Sequence, residues 1–259
     1  MPVCAYVEMT DGLQPHGAAW DQFAQALAKR RPDILVMNEM PFGQWLARKE
    51  DFAMEDARQS VEIHEAGTAA LAALNIPAVI TSRPMLFADR LVNEAIVIEN
   101  GQVRPLHTKT YLPQEPGWSE VSWFSRGDGR FNIQNICGLG VGVLLCTELM
   151  FNEHARQYGR RGADLIAVPR ATGSSHESWI TAGKMASIAL GVMSSVRTEL
   201  GNLGMVQCSA GAALLSLPGA IWLGRRKPVL PSCSLTLIRR FLLASGRNIP
   251  VTWTNCTTL

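Results

Sequence analysis

Three residues able to carry covalent acyl chemistry end or follow predicted strands: Glu39, Lys109 and Cys146. A thiol near neutral pH is only a few per cent thiolate, so a carboxylate within hydrogen-bond reach must take its proton during attack. A cation must then stabilise the oxyanion that forms on the attacked carbonyl. Together the three residue types form a working set for nucleophilic attack on a carbonyl carbon.

Each of the three residues also has an ordinary structural explanation. Cys146 follows the apolar run at 141–145 and could be an inert, buried thiol. Glu39 could be a solvated turn residue, and Lys109 an ordinary surface lysine. The strand tip is nevertheless a good place for a nucleophile, because the turn after it can present backbone N–H groups to an oxyanion.

The segments around these residues alternate between strand and helix patterns. Short apolar runs at 34–37 and 141–145 are typical of strands covered on both faces. Asn100-Gly101 predicts a type I′ hairpin turn, and the prolines between 104 and 118 exclude a regular helix there. Further strands are predicted at 3–9, 78–81, 95–99 and 165–168, and helices at 20–30, 52–74, 151–161 and 178–193. This order predicts a layered α/β fold with its site at the strand ends.

Composition limits the classes of protein that remain. A chain of 259 residues with 47% hydrophobic content fits one α/β domain. The six cysteines have no CxxC pair and, with five scattered histidines, no zinc spacing, so we expect reduced thiols, a cytoplasmic protein, no metal and no other cofactor. The N-terminus lacks a secretory signal pattern. Two small basic clusters without interleaved aromatics do not indicate nucleic-acid binding.

Three segments in order resemble the signature blocks of the carbon-nitrogen hydrolase, or nitrilase, superfamily. They are residues 35–42 (LVMNEMPF), 107–112 (HTKTYL) and 145–156 (LCTELMFNEHAR), and residues 162–169 (GADLIAVP) are similar to the strand that follows the nucleophile there. The resemblance covers about residues 1–197. It implies a four-layer αββα sandwich with Glu39 as general base, Lys109 as oxyanion stabiliser and Cys146 as nucleophile.

The resemblance also implies a second glutamate shortly after the lysine, which helps to position the substrate and the lysine. Glu115 is the preferred candidate and Glu120 the less favoured one. The backbone N–H of Thr147 is expected to be an oxyanion donor. Arg170, beyond the strand that ends at Pro169, could receive a substrate carboxylate bidentately or could be a surface arginine.

The substrate class follows from the residues around the nucleophile. Cys146-Thr147-Glu148 lacks the Cys-Trp-Glu run of true nitrilases, and residues 151–153 (FNE) resemble the amidase and carbamoyl-amidase branches. We therefore expect a small-molecule amide or carbamoyl substrate. Because members of this family commonly form homo-oligomers, the resemblance also implies a homo-oligomer as a candidate state.

Other readings of the motifs are weaker. A protease-like Cys-His pair could use His107, His154 or His176, but none is followed by a convincing Asn or Asp that would orient it. The glycine-rich stretch 138–142 imitates a dinucleotide loop, yet it precedes a strand and fits a hairpin turn better.

The C-terminal segment, residues 198–259, departs from the family pattern. Residues 201–259 contain no Asp or Glu and six basic residues, whereas all 22 acidic residues lie at or before Glu199. We therefore expect a hydrolase domain over 1–197 followed by a divergent or frame-shifted segment, with the second-sheet half incomplete or divergent. Translation of the coding DNA in all three frames tests the frame-shift hypothesis. Two alternatives follow: a catalytically inactive family member, or a protein anchored to a membrane through the uncharged stretch 200–224.

Overall fold

The chain folds around two β-sheets that pack face to face. A computed structural model describes residues 2–7, 9, 12–171 and 177–189, together with five strand segments between residues 205 and 256. The strands of the first sheet are β1 (Cys4–Tyr6), β2 (Ile34–Val36), β3 (Ala78–Phe87), β4 (Arg90–Glu99) and β5 (Gln102–Thr108), in that spatial order. Strands β1 to β3 are parallel, and β3 to β5 are antiparallel.

Two helices cover the outer face of the first sheet. Helix α1 (Ala18–Arg30) connects β1 to β2, and α2 (Met54–Ala72) connects β2 to β3. Apolar residues of both helices pack with Leu35, Val79 and Ile96 of the sheet. The tight turn between β4 and β5 has positive φ at Asn100 and Gly101, as the predicted type I′ hairpin requires.

The segment after β5 forms a small structure of its own before the second sheet begins. Two-residue strands β6 (Gln114–Glu115) and β7 (Trp118–Ser119) pair as a hairpin, and the single-turn helix α3 (Glu120–Trp123) follows directly. Pro116 and Gly117 occupy the turn, where Gly117 has a φ of 75°. This hairpin reverses the chain, so that α3 returns toward the first sheet.

The second sheet has six strands, and its spatial order is β11-β12-β13-β10-β9-β8. They are β8 (Gln134–Ile136), β9 (Leu139–Val143), β10 (Leu165–Pro169), β11 (Met205–Gln207), β12 (Ala213–Leu217) and β13 (Ala220–Gly224). A turn at Cys137-Gly138 joins β8 to β9, so the first residue of the glycine-rich stretch lies in the predicted hairpin turn and residues 139–142 lie in β9. Helix α4 (Asn152–Arg160) lies between β9 and β10, and α5 (Glu177–Ala189) follows β10.

Apolar cores hold the described layers together. One core takes its residues from β1 to β5 on one side and from β8 to β10 and Leu145, just after β9, on the other, so it lies between the sheets. Another packs α4 and α5 on the second sheet. Gly142 in β9 permits this close approach, since a Cβ there would lie 2.7 Å from the Tyr158 ring. The predicted four-layer αββα sandwich is confirmed.

The C-terminal segment supplies three antiparallel strands to the second sheet, with β13 paired along the whole of β10. The described strands therefore bring the second sheet to six strands, while the divergence of this segment stays a prediction. The last strands, β14 (Leu235–Ile238) and β15 (Trp253–Cys256), form a separate pair. The boundary near residue 197 stays a prediction, and the proposed frame shift concerns mostly residues outside the described ones.

The stretch 200–224, considered above as a membrane anchor, contributes β11, β12 and β13 instead of one helix. Within the described part of the chain, every helix is too short or too polar to cross a bilayer.

Candidate active site

Two of the predicted site residues lie close together in a buried position, each just beyond a strand of the first sheet. Glu39 lies three residues beyond β2, and Lys109 directly follows β5. Glu39 is 1% exposed and Lys109 is 0% exposed, and Lys109 Nζ lies 2.8 Å from Glu39 Oε1. The Lys109 backbone N–H donates to the carbonyl of Asn93 on β4 at 2.9 Å. The buried ion pair excludes the solvated-turn and surface-lysine explanations.

A second carboxylate, from helix α3, also contacts Lys109. Glu120, the first residue of α3, accepts from Lys109 Nζ at 2.7 and 3.0 Å. Glu115, the preferred candidate from the sequence, is exposed in the β6–β7 hairpin. The structure therefore places the less favoured candidate, Glu120, beside Lys109, because the turn at Pro116-Gly117 reverses the chain between the two glutamates.

The charges of this cluster determine its protonation. Burial alone would lower the pKa of Lys109, but the negative charges of Glu39 and Glu120 outweigh it and raise that pKa well above its usual value. Burial raises the pKa of Glu120 to about 7, with Lys109 opposing the shift and Glu39 adding to it. Lys109 is thus a permanent cation, which is what oxyanion stabilisation requires.

The second sheet delivers Cys146 at the end of the apolar run that begins in β9. The residue has a φ of 48°, in the left-handed region that side-chain-bearing residues rarely adopt. It is 4% exposed, and its Sγ donates to the carbonyl of Ala171 at 3.5 Å. Burial and the charge of Glu39 raise the thiol pKa well above its usual value, although Lys109 acts in the opposite direction. The resting thiol is therefore protonated, and attack requires a base.

Glu148 joins the cysteine side of the site to the lysine side, a connection that the sequence reasoning missed. Its fully buried carboxylate accepts from the N–H of Leu145 at 2.8 Å and from the N–H of Thr110 at 2.7 Å. These donors flank Cys146 and Lys109 respectively. His107 Nε2 makes a third contact, at 2.8 Å. A glutamate three residues after Leu145, as in a capping box, was the available signal.

Two further contacts dock the lysine segment on the nucleophile turn. The Thr147 hydroxyl donates to the carbonyl of Tyr111 at 2.9 Å. The Tyr111 ring stacks on Phe151, with ring centroids 3.8 Å apart. These contacts fix the side chain of Thr147 on the lysine segment, while the role of its N–H as an oxyanion donor stays a prediction.

Arg170 is completely buried at the end of β10, so it is not a surface arginine. Its guanidinium lies 4.8 Å from the centroid of the Trp179 ring, within cation–π range. The next residue is Ala171, whose carbonyl contacts Cys146. Arg170 is thus one residue away from a direct contact with the thiol.

The histidines of the protease-like alternative are engaged elsewhere. His107 contacts Glu148, and His154 Nε2 lies 2.9 Å from the Tyr111 hydroxyl. His176 lies outside the described residues.

Comparison with known proteins agrees with this geometry. The model of the family described as carbon-nitrogen hydrolase matches residues 18–202, which include Glu39, Lys109 and Cys146. The chain belongs to the carbon-nitrogen hydrolase family. This membership confirms the superfamily resemblance that the three sequence blocks indicated.

Among members of the carbon-nitrogen hydrolase family, the chain is similar to the N-carbamoylputrescine amidase of Solanum tuberosum. The two are 32% identical over 80 residues, which are 31% of this chain and 27% of that protein. The match thus spans little more than a quarter of the curated relative.

Two solved structures share the fold. A carbon-nitrogen hydrolase from Helicobacter pylori G27 superposes with a TM-score of 0.61 and 20% identity, covering 87% of each chain. An amidase from Nesterenkonia sp. superposes with a TM-score of 0.60 and 19% identity, covering 85% of this chain and 89% of that one.

Proposed function

We propose that this carbon-nitrogen hydrolase cleaves the carbon–nitrogen bond of a small amide or carbamoyl compound through a thioester on Cys146. The observation that carries the proposal is the buried cluster itself. A lysine that remains cationic lies between the carboxylates of Glu39 and Glu120, and the charges of all three act on the thiol. Such a cluster supplies a nucleophile, a base and an electrostatic stabiliser within one buried site.

In the first half-reaction, Cys146 Sγ attacks the substrate carbonyl carbon while Glu39 takes the thiol proton. The oxygen that becomes negative is stabilised by Lys109 Nζ and by the backbone N–H of Thr147. Collapse of the tetrahedral intermediate breaks the carbon–nitrogen bond, and Glu39 gives its proton to the departing nitrogen. The products of this step are the thioester and ammonia or an amine.

In the second half-reaction, Glu39 takes a proton from water, and the resulting hydroxide attacks the thioester carbon. The carbon–sulfur bond then breaks, and the proton held by Glu39 returns to the Cys146 sulfur. The acid leaves, and the resting site is restored. One carboxylate therefore acts as base twice and as acid twice.

Glu120 takes the positioning role for which Glu115 was the preferred candidate, since its carboxylate bonds the same Lys109 ammonium group that the Glu39 carboxylate bonds. For Arg170 we retain the role of receiving a substrate carboxylate, because Arg170 precedes the residue whose carbonyl contacts the thiol.

The relatives support an amide or carbamoyl substrate. The potato protein is named an N-carbamoylputrescine amidase. A mutant of the Nesterenkonia amidase shows covalent addition of the acetamide moiety of fluoroacetamide at its active-site cysteine. A nucleophilic cysteine that accepts a small amide reagent is the behaviour proposed for Cys146.

The test measures ammonia release from acetamide, propionamide and N-carbamoyl amines with the wild type and Cys146→Ala. We expect turnover in the wild type and none in Cys146→Ala. Cys137→Ala is the matched control, because Cys137 is a half-buried thiol in the β8–β9 turn that contacts the Asp33 carbonyl. Equal rates in the wild type and Cys146→Ala would reject the proposal.

A further inference from the structure

Asn93 on β4 contacts both members of the Glu39–Lys109 pair, although no sequence pattern marked it. The residue is completely buried. Its Nδ2 donates to Glu39 Oε1 at 2.8 Å, and its backbone carbonyl accepts from the Lys109 N–H at 2.9 Å. One residue therefore holds the side chain of the base and the main chain of the lysine.

The contact makes the two oxygens of Glu39 unequal. Oε1 accepts from both Lys109 Nζ and Asn93 Nδ2, whereas Oε2 is buried and accepts from no N–H or O–H donor within the described residues. A hydrogen bond between Glu39 and the Cys146 thiol contributes to the raised pKa of that thiol. A carboxylate oxygen that already accepts two charge-assisted or amide bonds has little capacity for a further proton. The oxygen left available for a proton is therefore Oε2.

The surroundings of Glu39 explain why a neutral donor is suitable here. Within the described part of the chain, the charged or titratable groups around Glu39 are Lys109, Glu120 and the Cys146 thiol. A second cation in place of Asn93 would stabilise the Glu39 carboxylate further and make it a weaker base. An amide fixes the orientation of the carboxylate without adding charge.

A comparison with Asn38 separates this arrangement from a purely structural asparagine. Asn38 is also buried, but both of its amide atoms bond the backbone of Met9, each at 3.0 Å. Asn93 instead donates to Glu39, and its own Oδ1 is buried without a partner in the described chain. Buried acceptors without partners are rare in folded proteins and are associated with functional sites.

We propose that Asn93 is a positioning residue of the hydrolysis, which turns Glu39 so that Oε2 takes the proton of the Cys146 thiol. The inference rests on the proposed function, in which Glu39 is the base. In the productive step the S–H bond breaks, the Oε2–H bond forms, and the sulfur electron pair attacks the carbonyl carbon. Asn93 keeps Oε1 on Lys109 throughout.

The test uses alkylation of Cys146 by iodoacetamide, followed at that residue by peptide mass spectrometry as a function of pH. Asn93→Asp replaces the donor by a second carboxyl group facing Glu39. Two carboxyl groups in contact favour the form that holds a proton, so the acidic limb of the rate profile should move up by about one pH unit or more. In Asn93→Ala, the alkylation rate at pH 7 should fall by about 10- to 100-fold.

Tyr158→Phe is the matched control, since it removes two buried hydrogen bonds to Val143 without touching Glu39. It should lower the melting temperature and leave the pH profile in place. If Asn93→Asp also lowers the melting temperature but keeps the wild-type profile, the inference is wrong. If Asn93→Asp does not fold, Asn93→Ala decides alone, and a loss below about twofold overturns the inference.

The alkylation assay requires no turnover, so it distinguishes the two proposals. A wild type that hydrolyses no amide, combined with the expected Asn93 effects, rejects the hydrolysis and keeps only the part of the inference in which Asn93 orients Glu39 toward the thiol. Alkylation that is unchanged in Glu39→Gln rejects Glu39 as base and overturns the Asn93 inference with it.

Discussion

The two sides of the site are held by different kinds of interaction. The lysine side consists of Glu39, Lys109 and Glu120, three buried ionisable side chains joined by hydrogen bonds of 2.7 to 3.0 Å. On the second sheet, the cysteine side depends on the backbone, because Cys146 combines a left-handed conformation with a weak Sγ contact to the carbonyl of Ala171. Side-chain charge thus fixes one side, and chain geometry fixes the other.

This difference predicts which substitutions each side can tolerate. Removing one charge from the lysine side leaves its partners buried and uncompensated, which damages both stability and chemistry. Removing the thiol from the cysteine side leaves the backbone turn in place and should damage chemistry alone. Glu148 belongs to both sides, since it accepts from the N–H groups that precede Cys146 and follow Lys109.

The largest effect should come from Lys109→Met. The substitution leaves two buried carboxylates without their cation, so we expect the free energy of unfolding to fall by about 3–5 kcal/mol. Urea denaturation measures the change. Adding Glu120→Gln to this variant should recover part of the loss, because it removes one of the uncompensated charges. A Lys109→Met protein as stable as the wild type would contradict the charge-based account of this side.

The next effect concerns the link between the sides. Glu148→Gln keeps the size of the side chain but has one acceptor oxygen for the N–H groups of Leu145 and Thr110. We expect kcat/KM for amide hydrolysis to fall by about 10- to 100-fold through misplacement of Cys146 and Lys109. Glu94→Gln is the control, because Glu94 pairs with Arg83 on the first sheet, away from these contacts. Equal losses in both variants would show that Glu148 does not join the two sides.

A smaller effect is a pH dependence of stability from Glu120. Its pKa in the folded chain is about 7, above the usual value of 4.5, so between these pH values the folded state retains a proton that the unfolded state has lost. The stability due to this proton is complete below about pH 4.5 and is lost as the pH rises through 7.

The measurement is the difference in unfolding free energy between the wild type and Glu120→Gln. From about pH 5.5 to about pH 7.5 the wild type should lose about 1–2 kcal/mol relative to the variant. A constant difference, or one that grows with pH, would contradict the assigned protonation.

The smallest effect tests the backbone of the cysteine side. Glycine adopts positive φ freely, whereas alanine does not, so Cys146→Gly should be more stable than Cys146→Ala by about 1 kcal/mol. In ordinary helix or strand positions the order is reversed. Thermal melts of the two inactive variants give the sign, and a more stable alanine variant would show that the left-handed turn is not under strain.

The strand-ending positions of Glu39 and Cys146 could be predicted because local apolar runs of β2 and β9 determine them. The αββα layers came from the family resemblance, and the structure confirms them. Glu120 was ranked below Glu115 because sequence spacing alone does not show that the chain reverses direction at Pro116-Gly117 and brings Glu120 to the lysine. Asn93 was missed for a related reason: it lies inside a strand, and only the pairing of β4 with β5 brings it beside Lys109.

The C-terminal segment contains strands that the sequence did not predict. Its composition indicated divergence, yet β13 pairs with β10 along five residues, from Leu165 to Pro169. Backbone pairing depends on hydrogen bonds that any non-proline residue can make, so a segment without the family's sequence pattern can still occupy the sheet.

The left-handed backbone at Cys146 also limits which other nucleophiles this scaffold could host. A β-branched side chain is a conformational outlier at positive φ, so a threonine hydroxyl could not replace the thiol without rebuilding the turn. Serine carries no such branch and fits the same backbone. Any conversion of this site to oxygen chemistry, by evolution or by design, is therefore restricted to serine by the shape of the main chain before the reactivity of the side chain is considered.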